Sequence, residues 1–209
     1  MNKQKIKIQR ALLSVFDKTG IVELAESLNQ HGVEIISTGG TAKTLGDAGL
    51  QVTGISTYTG FPEIMDGRVK TINPLVEGGI LGLRDKHADD AKANNIGWID
   101  LVVCNLYPFS KMVSQADSGL MTAMDNVDIG GPTMIRSAAK NVGWATVVVD
   151  PRDYQRIIDE LDEFVEISFE TRKKLSAKAF GHTAQYDAII HNYLKDEKLS
   201  NSLSLTYNK

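Results

Sequence analysis

Short apolar runs rich in β-branched residues alternate along this chain with segments of helical period, and this alternation constrains the fold more than any other feature. It is typical of βαβ units built around a parallel sheet. Strands are predicted at residues 11–15, 33–36, 52–55, 101–105 and 145–150. Helices are predicted at residues 21–28, from the turn at 37–41 through 45, at 85–95, 129–140 and 151–163, and as one or two helices at 168–194. The sequence therefore predicts an α/β domain with a central, mainly parallel sheet flanked by helices.

Composition excludes several classes of protein. The chain has 209 residues, enough to form a sizeable core, and its single cysteine excludes a disulfide scaffold. The first ten residues are polar and basic, so we expect no signal peptide, and no apolar run is long enough for a membrane helix. A net charge of −3 gives no electrostatic sign of nucleic-acid binding. We expect a soluble domain of the reducing cytoplasm.

Two stretches and the tail lack clear periodicity. Residues 57–82 are crowded with Gly, Pro and charged residues, and a second irregular stretch runs from residue 107 to about 117. Long irregular stretches within a compact domain are commonly functional. The last residues, 195–209, are polar, so the expected division is a domain at 1–194 followed by a linker or tail at 195–209.

A glycine-rich turn follows the second predicted strand. Its residues 37–41 read Ser-Thr-Gly-Gly-Thr and open a helix, which is where parallel sheets bind ligands and where free N–H groups favour a phosphate. Ser14 and Lys18 stand at the equivalent end of the first strand. If the two strands are neighbours, Ser14, Lys18, Thr38 and Thr41 converge on one phosphate. A capped tight turn explains the same residues without a ligand.

The irregular stretch at 57–82 carries two cations that are candidates for a site. Arg68 and Lys70 are two residues apart, so on extended backbone they project to the same side. Solvated loop charges are the alternative interpretation. Asn105 and Tyr107 directly follow a buried strand and so lie at the ligand-binding edge of the sheet, although Tyr107 could equally be packing there.

Asp128 precedes a Gly-Gly turn and a helix that ends at Lys140. Helix capping explains Asp128, and the helix dipole explains Lys140, without any catalytic role. The four histidines have no metal-like spacing to one another or to Cys104, so no metal site is expected. Cys104 lies in an apolar strand and is expected to be a packed thiol.

Taken together, these motifs resemble the N-terminal inosine monophosphate (IMP) cyclohydrolase domain of the bifunctional purine-biosynthesis (PurH) family. The resemblance covers residues 11 to about 194. It rests on Ser14-Val15, Asp17-Lys18-Thr19-Gly20, Ser37-Thr38-Gly39-Gly40-Thr41, Thr59-Gly60-Phe61-Pro62-Glu63, Gly67-Arg68-Val69-Lys70-Thr71, Asn105-Leu106-Tyr107-Pro108-Phe109, Asp128-Ile129-Gly130-Gly131, Ala138-Ala139-Lys140-Asn141 and His182-Thr183-Ala184-Gln185-Tyr186-Asp187, which occur in the family's order and approximate spacing.

The resemblance implies a methylglyoxal-synthase-like three-layer fold and a cytoplasmic homodimer that is normally fused to a C-terminal AICAR transformylase domain. The implied reaction closes the purine ring of 5-formamidoimidazole-4-carboxamide ribotide (FAICAR), releasing water and giving IMP, without a cofactor. The residues that match the family's catalytic positions are Lys70, Tyr107, Asp128 and Lys140. Those that match its substrate-binding positions are Ser14, Lys18, Thr38, Gly40, Thr41, Arg68, Thr71, Asn105, Ile129 and Gly130.

Four positions depart from the family pattern. Phe16 stands where the family often has Ser, and Asn73, Glu77 and Val142 stand where it has His. A mechanism based on histidine at those three positions is therefore excluded for this chain, and a specialised or weakened activity stays open.

Two other functions fit the same fold. A lyase acting on a small phosphorylated sugar, as in methylglyoxal synthase, would share the glycine-rich turn but leave the Tyr107 and Lys140 motifs unexplained. A regulatory nucleotide-binding module, as in carbamoyl phosphate synthetase, would not need Lys70, Asp128 and Lys140 together.

Overall fold

The structure is a computed structural model, and it describes residues 1–109 and 119–195. The chain divides into two compact units. The first comprises Met1–Tyr107 and Asp128–Thr183, and the second comprises Pro108–Val127 and Ala184–Lys209. Every residue that the sequence nominates for a site belongs to the first unit.

The strands form one five-stranded sheet and one two-stranded ribbon. They are β1 (Ile6–Lys7), β2 (Arg10–Val15), β3 (Glu34–Ser37), β4 (Thr53–Gly54), β5 (Leu101–Asn105), β6 (Thr146–Val148) and β7 (Glu166–Ile167). The five-stranded sheet has the order β4-β3-β2-β5-β6, and all of its pairs are parallel. The predicted α/β class and parallel sheet are confirmed.

Helices alternate with the strands along the chain. They are α1 (Ile21–Gln30), α2 (Gly39–Asp47), α3 (Ile55–Thr59), α4 (Pro74–Leu81), α5 (Ala88–Ala93), α6 (Leu120–Asp125), α7 (Gly130–Lys140), α8 (Tyr154–Phe164) and α9 (Phe169–Leu194). A short 3₁₀ turn, Pro151–Asp153, precedes α8, so the helix predicted to begin at Pro151 begins three residues later. In the described part of the chain, no helix is long and apolar enough to cross a membrane.

The strand order reverses between β2 and β5. From β2 the chain adds β3 and β4 on one side, and it later adds β5 and β6 on the other side. Parallel sheets bind ligands in the crevice outside the carboxyl ends of the two strands at such a reversal. The topology thus directs attention to the segments that follow Val15 and Asn105.

The core fills both sides of β2 and β5. Ala11–Leu13 and Leu101–Val103 are fully buried, as the predicted strands buried on both faces require. The apolar stripe of α1 packs Leu24 and Leu28 beside α8, whose Ile157 and Leu161 belong to the same buried cluster. Burial of these apolar side chains fixes the strands whose ends carry the candidate site.

The predicted irregular stretch at 57–82 is the largest difference between sequence and structure. The strand predicted at 52–55 shortens to β4, because α3 already begins at Ile55. The stretch also contains α4, whose start was readable: the Asn73 side chain accepts from the Leu75 N–H, and Pro74 occupies the first turn. The helix predicted at 85–95 is confirmed only for Ala88–Ala93.

The ribbon of β1 and β7 was missed from the sequence, since each strand has two residues. It is antiparallel and pairs Ile6 with Ile167. Behind it lies Arg172, fully buried at the start of α9. The Arg172 guanidinium donates to the carbonyl oxygens of Gln4, Val142, Gly143 and Ile167, so one side chain joins three segments.

The second unit contains α6, which the sequence analysis missed, and the last part of α9. Within this unit the rings of Phe109 and Tyr193 meet edge to face, with centroids 5.5 Å apart. The expected irregular stretch extends into residues 110–118, and the expected linker into residues 196–209. Both segments lie outside the described residues.

Candidate phosphate and ring-closure site

The carboxyl ends of β2 and β3 meet through hydroxyl groups. The two strands are neighbours, with Leu13 opposite Ser37. The hydroxyls of Ser14 and Thr38 lie 2.8 Å apart and share a hydrogen bond. The condition on which the predicted phosphate site depended is therefore met.

Lys18 brings a positive charge to the same place. Its Nζ donates to the carbonyl oxygens of Val15 and Phe16, and a Cβ built on Gly40 would lie 3.7 Å from it. Gly40 is in the first turn of α2, where N–H groups have no partner within the helix. Preceding it, Gly39 adopts a φ of +43°, which favours glycine. An ammonium, a helix N-terminus and two hydroxyls together suit a phosphate.

The Thr41 side chain forms hydrogen bonds with the backbone at the end of β2. Its hydroxyl accepts from the Val15 N–H and donates to the Val15 carbonyl oxygen, both at 3.0 Å, and the residue is buried. Thr41 therefore attaches α2 to the end of β2, and its predicted contact with substrate stays a prediction.

The Asn105 side chain also forms hydrogen bonds with the backbone. Its side-chain oxygen accepts from the N–H groups of Phe16 and Asp17, both at 2.8 Å, and its amide donates to the Asp17 carbonyl oxygen. Asn105 thereby joins the turn after β2 to the turn after β5. The structure shows that Asn105 holds these two turns together, and its predicted binding role stays a prediction.

Tyr107 lies two residues beyond Asn105 and contacts Phe16. The two rings meet edge to face, with centroids 4.4 Å apart and an interplanar angle of 83°. Phe16 is 50% exposed. The sequence marked it as a departure from the family, but its contact with Tyr107 could not be read from the sequence.

Lys70 follows a tight loop that turns the chain back on itself. Ile64 and Val69 form an isolated bridge, and Met65, Asp66 and Gly67 between them all have positive φ. Left-handed backbone is strained for a residue such as Met65, and such strain clusters at functional sites. Arg68 is exposed on this loop.

The Lys70 ammonium lies 3.8 Å from the Glu63 carboxylate, and both side chains are partly exposed. A Cβ built on Gly67 would lie 3.5 Å from the ammonium and 3.3 Å from the carboxylate. Glycine at 67 therefore leaves room for both groups. Glu63 was not nominated from the sequence, although it belongs to a quoted motif.

Thr71 connects this loop to the start of α7. The Thr71 hydroxyl lies so close to Gly130 that a Cβ there would collide with it. Asp128 Oδ1 accepts from the Gly131 N–H at 2.9 Å, so its carboxylate satisfies an N–H of the first turn, although the N-cap residue is Ile129 and not Asp128. A Cβ on Gly131 would also collide with the Asp128 carboxylate and with Leu106, next to Tyr107. Close contacts therefore connect the Lys70 loop, the Asp128 turn and the end of β5.

Lys140 is not brought to this group within one chain. Helix α7 has 11 residues, so its last residue, Lys140, lies about 15 Å along the axis from Gly130. Lys140 is exposed there, while its neighbour Asn141 donates to carbonyl oxygens at the end of α4. Its catalytic role stays a prediction, and the helix dipole accounts for its position.

The other predictions concern metal and thiol chemistry. Among the described residues, no group of three or more His, Cys, Asp or Glu side chains is arranged to hold a metal ion. Burial and the nearby Asp128 raise the pKa of Cys104, so the thiol stays protonated and packed, as expected. A separate cavity of about 300 Å³ beside α4 and α5, lined by Gly78, Gly82, Ile96 and Trp98 among others, contains no predicted site residue.

Replacing Lys18 with Gln is expected to raise the Kd for the nucleotide that the resemblance implies, inosine monophosphate, about 10- to 100-fold, because one charged hydrogen bond to phosphate is lost. Isothermal titration calorimetry would measure the change. Lys43→Gln is the matched control, since Lys43 lies in α2 but is exposed and paired with Asp47. Equal affinities of Lys18→Gln and the parent would exclude Lys18 from the phosphate site.

Glu77 supports a prediction on pH dependence. Ser137 donates to its Oε2 at 2.6 Å, whereas the buried Oε1 has no hydrogen-bond partner among the described residues, and burial raises the pKa of this carboxyl. The folded state therefore holds the proton more tightly than the unfolded state. The resulting stability is present below the unfolded pKa, near 4.5, and is lost as pH rises through the folded value.

We therefore expect Glu77→Gln to match the parent near pH 4 and to raise Tm by roughly 1–3 °C at pH 7.5. Thermal unfolding followed by circular dichroism at both pH values would test this. Glu26→Gln, at an exposed position in α1, should show no such difference. A gain that is equal at both pH values would contradict the ionisation argument.

Comparisons with known proteins agree with the fold and the motifs. The MGS-like domain family matches residues 20–133, and the AICARFT/IMPCHase bienzyme family matches residues 138–209. The bifunctional purine biosynthesis protein PurH of Bacillus cereus strain AH187 is 53% identical over 96% of this chain, and that of Bacillus anthracis strain A0248 is 52% identical over the same share. The chain spans 40% of the length of these relatives.

A solved structure gives the same picture. The crystal structure of ForH superposes with a TM-score of 0.80 at 34% sequence identity, covering 90% of this chain and 99% of that one. The first family covers more than half of the chain, from the residue before α1 to the first turn of α7. The PurH relatives align with nearly the whole of this chain, and by the match over more than half of its length the chain belongs to the MGS-like domain family.

Proposed function

We propose that this chain is an IMP cyclohydrolase, which closes the purine ring of FAICAR with loss of water. The observation that carries the proposal is the phosphate cradle formed by Ser14, Lys18 and Thr38 at the carboxyl edge of the sheet. At the neighbouring end of β5, close contacts at Gly130 and Gly131 connect the Asp128 turn to the loop that carries Lys70. The matches to PurH proteins, whose name specifies purine biosynthesis, support the choice of substrate.

The chemistry sets out what the site must do. The carboxamide nitrogen of the substrate attacks the formyl carbon, a C–N bond forms, and negative charge develops on the formyl oxygen. The carboxamide nitrogen and the formamido nitrogen each give up one proton, and the oxygen takes up two. The C–O bond then breaks, water leaves, and a C=N bond to the formamido nitrogen forms. Because the reaction is intramolecular, orientation of the two groups supplies a large part of the acceleration.

Lys70 is assigned to the developing oxyanion, with Arg68 and Thr71 placing the base. An ammonium fixed in advance beside such an oxygen lowers the barrier, because little reorganisation is needed as charge develops. Its loose pairing with Glu63, at 3.8 Å and partly exposed, leaves it available to a ligand. Asp128 and Tyr107 are assigned to proton transfer and to positioning of the carboxamide.

The remaining binding assignments follow the same edge. Gly40 and the start of α2 would receive the phosphate, and Ile129 and Gly130 would meet the base beside Thr71. In the family pattern Lys140 also serves the reaction. Its assignment rests on that pattern alone, because Lys140 lies at the opposite end of α7 from Gly130.

The direct test is to incubate the purified chain with FAICAR and to follow the purine absorbance of IMP. We expect turnover well above the spontaneous rate, and a chain denatured in urea serves as the blank. Folded protein that binds IMP without turnover would favour the regulatory module instead. Release of methylglyoxal from dihydroxyacetone phosphate would favour the lyase.

The proposal extends to assembly and location. We propose a cytoplasmic homodimer with its domain at residues 1–194 and a connecting segment at 195–209, leading to an AICAR transformylase domain as the relatives' bifunctional name suggests. Analytical ultracentrifugation would test the dimer, which predicts a sedimenting mass of twice 22.9 kDa.

A further inference from the structure

Phe16 and Tyr107 form an aromatic pair at the reversal of strand order. Phe16 follows β2 directly, and Tyr107 lies two residues after β5, so the rings stand on the two turns that border the predicted ligand crevice. The edge-to-face geometry, with an interplanar angle of 83°, is the arrangement that aromatic rings prefer.

The backbones that carry these rings are held in register. Asn105 accepts from the Phe16 N–H through its side-chain oxygen at 2.8 Å and through its own carbonyl oxygen at 3.4 Å. The two turns are therefore fixed to each other before any ligand arrives. The rotamer of each ring is not fixed by these backbone contacts. The contact between the two rings favours one combination of rotamers.

Phe16 does not serve the core. Half of its side chain is exposed, whereas the preceding Val15 is buried. An exposed phenyl group gains little from burial, so its contact with the Tyr107 ring is the interaction that the structure gives it. The Phe16 carbonyl oxygen also accepts from Lys18, which places the pair beside the phosphate cradle.

We propose that Phe16 is a positioning residue, which holds the Tyr107 ring, at the crevice between β2 and β5, in the one orientation that ring closure uses. The proposal rests on the proposed function, because it gives Tyr107 a part in ring closure. Phe16 acts through Tyr107 and does not touch the reacting atoms.

The size of the effect follows from the kind of contact. One edge-to-face pair shifts a rotamer equilibrium about 2- to 10-fold. Removing it leaves Tyr107 in place but lowers the population with a correctly directed hydroxyl. The rate falls by up to that factor, while substrate affinity, which depends mainly on the phosphate cradle, changes little.

The experiment is a double-mutant cycle on FAICAR ring closure. We expect Phe16→Leu to lower kcat about 3- to 10-fold with KM within about twofold, and Phe16→Tyr, which keeps an aromatic ring, to stay within about twofold of the parent. In a Tyr107→Phe background there is no hydroxyl to direct, so adding Phe16→Leu should change kcat less than about twofold.

A spectroscopic arm does not depend on turnover. Proton–carbon spectra of protein labelled at the tyrosine rings would identify the Tyr107 signals by their loss in Tyr107→Phe. Phe16→Leu should move these signals, because the ring current of Phe16 disappears, and should leave the signals of Tyr58 and Tyr193 in place. Unmoved Tyr107 signals would overturn the contact itself.

The outcomes separate the two proposals. A parent chain without turnover contradicts the proposed function, and the spectra still decide whether Phe16 orients Tyr107. With an active parent, an equal loss of kcat in both backgrounds would overturn positioning through Tyr107. A rise in KM at constant kcat would also overturn it, by making Phe16 a contact of the substrate.

Discussion

Replacing Arg172 with Met is expected to lower the free energy of unfolding by about 3–5 kcal/mol, because buried hydrogen-bond acceptors lose their donor. The guanidinium is fully buried and donates to the carbonyl oxygens of Gln4, Val142, Gly143 and Ile167. It also lies against the ring of Phe169, 5.5 Å from its centroid.

Arg172 does not avoid the cost of burial by losing its charge. Burial and the nearby Arg84 lower the pKa of Arg172 to about 10, so the side chain still carries its proton at neutral pH. Its desolvation is offset by the carbonyl oxygens, and these belong to the N-terminal segment, the turn after α7 and β7. Met has a similar unbranched length but no donor, so it leaves all of these acceptors unsatisfied.

Urea unfolding followed by circular dichroism would measure the loss. Arg152→Met is the matched control: the Arg152 side chain is exposed, so removal of its ion pair with Asp150 should change the free energy of unfolding far less. Hydrogen exchange should also speed up at Ile6 and Ile167 in Arg172→Met. Equal losses for the two variants would refute the role given to the buried guanidinium.

The strongest elements could be predicted because their sequence patterns reflect burial. Residues 101–105 were predicted as a strand with the bounds that β5 has, since apolar residues on both faces leave no other interpretation. The ribbon of β1 and β7 was not predicted, because two-residue strands have no periodicity. It is held by Arg172, which is distant in sequence from β1.

Some features of the candidate site could likewise be predicted from the sequence, and others could not. The neighbouring positions of Ser14 and Thr38 follow once β2 and β3 are known to pair, a condition that the sequence left open and the structure meets. The hydrogen bonds of the Thr41 and Asn105 side chains to backbone groups could not be predicted. A hydroxyl or amide that can bind a ligand can equally well bind the backbone at the end of a strand. Lys140 matched a motif, yet helix length alone carries it away from Gly130.

Replacing Lys70 with Met is expected to lower kcat for FAICAR ring closure about 100- to 1,000-fold, the loss typical of removing one donor to a developing oxyanion. The ammonium would meet this oxygen chiefly in the transition state. Affinity for IMP, which has no such charge, should therefore stay within about threefold of the parent.

The structure indicates that this variant folds. The Lys70 side chain is 33% exposed, and its ion pair with Glu63, at 3.8 Å, contributes little to stability. Thermal unfolding should confirm a Tm within a few degrees of the parent. A loss of turnover with unchanged Tm and unchanged IMP binding can then be attributed to the chemical step.

Single-turnover kinetics with FAICAR would measure that step, and calorimetry would measure IMP binding. Lys86→Met, at an exposed position beyond α4, is the matched control and should leave both values unchanged. A Lys70→Met variant as active as the parent would remove Lys70 from the mechanism. Loss of IMP binding in parallel with kcat would instead make Lys70 a binding residue. Asp128 and Tyr107 would then be the remaining catalytic candidates, because the close contacts at Gly130 and Gly131 connect them to the Lys70 loop.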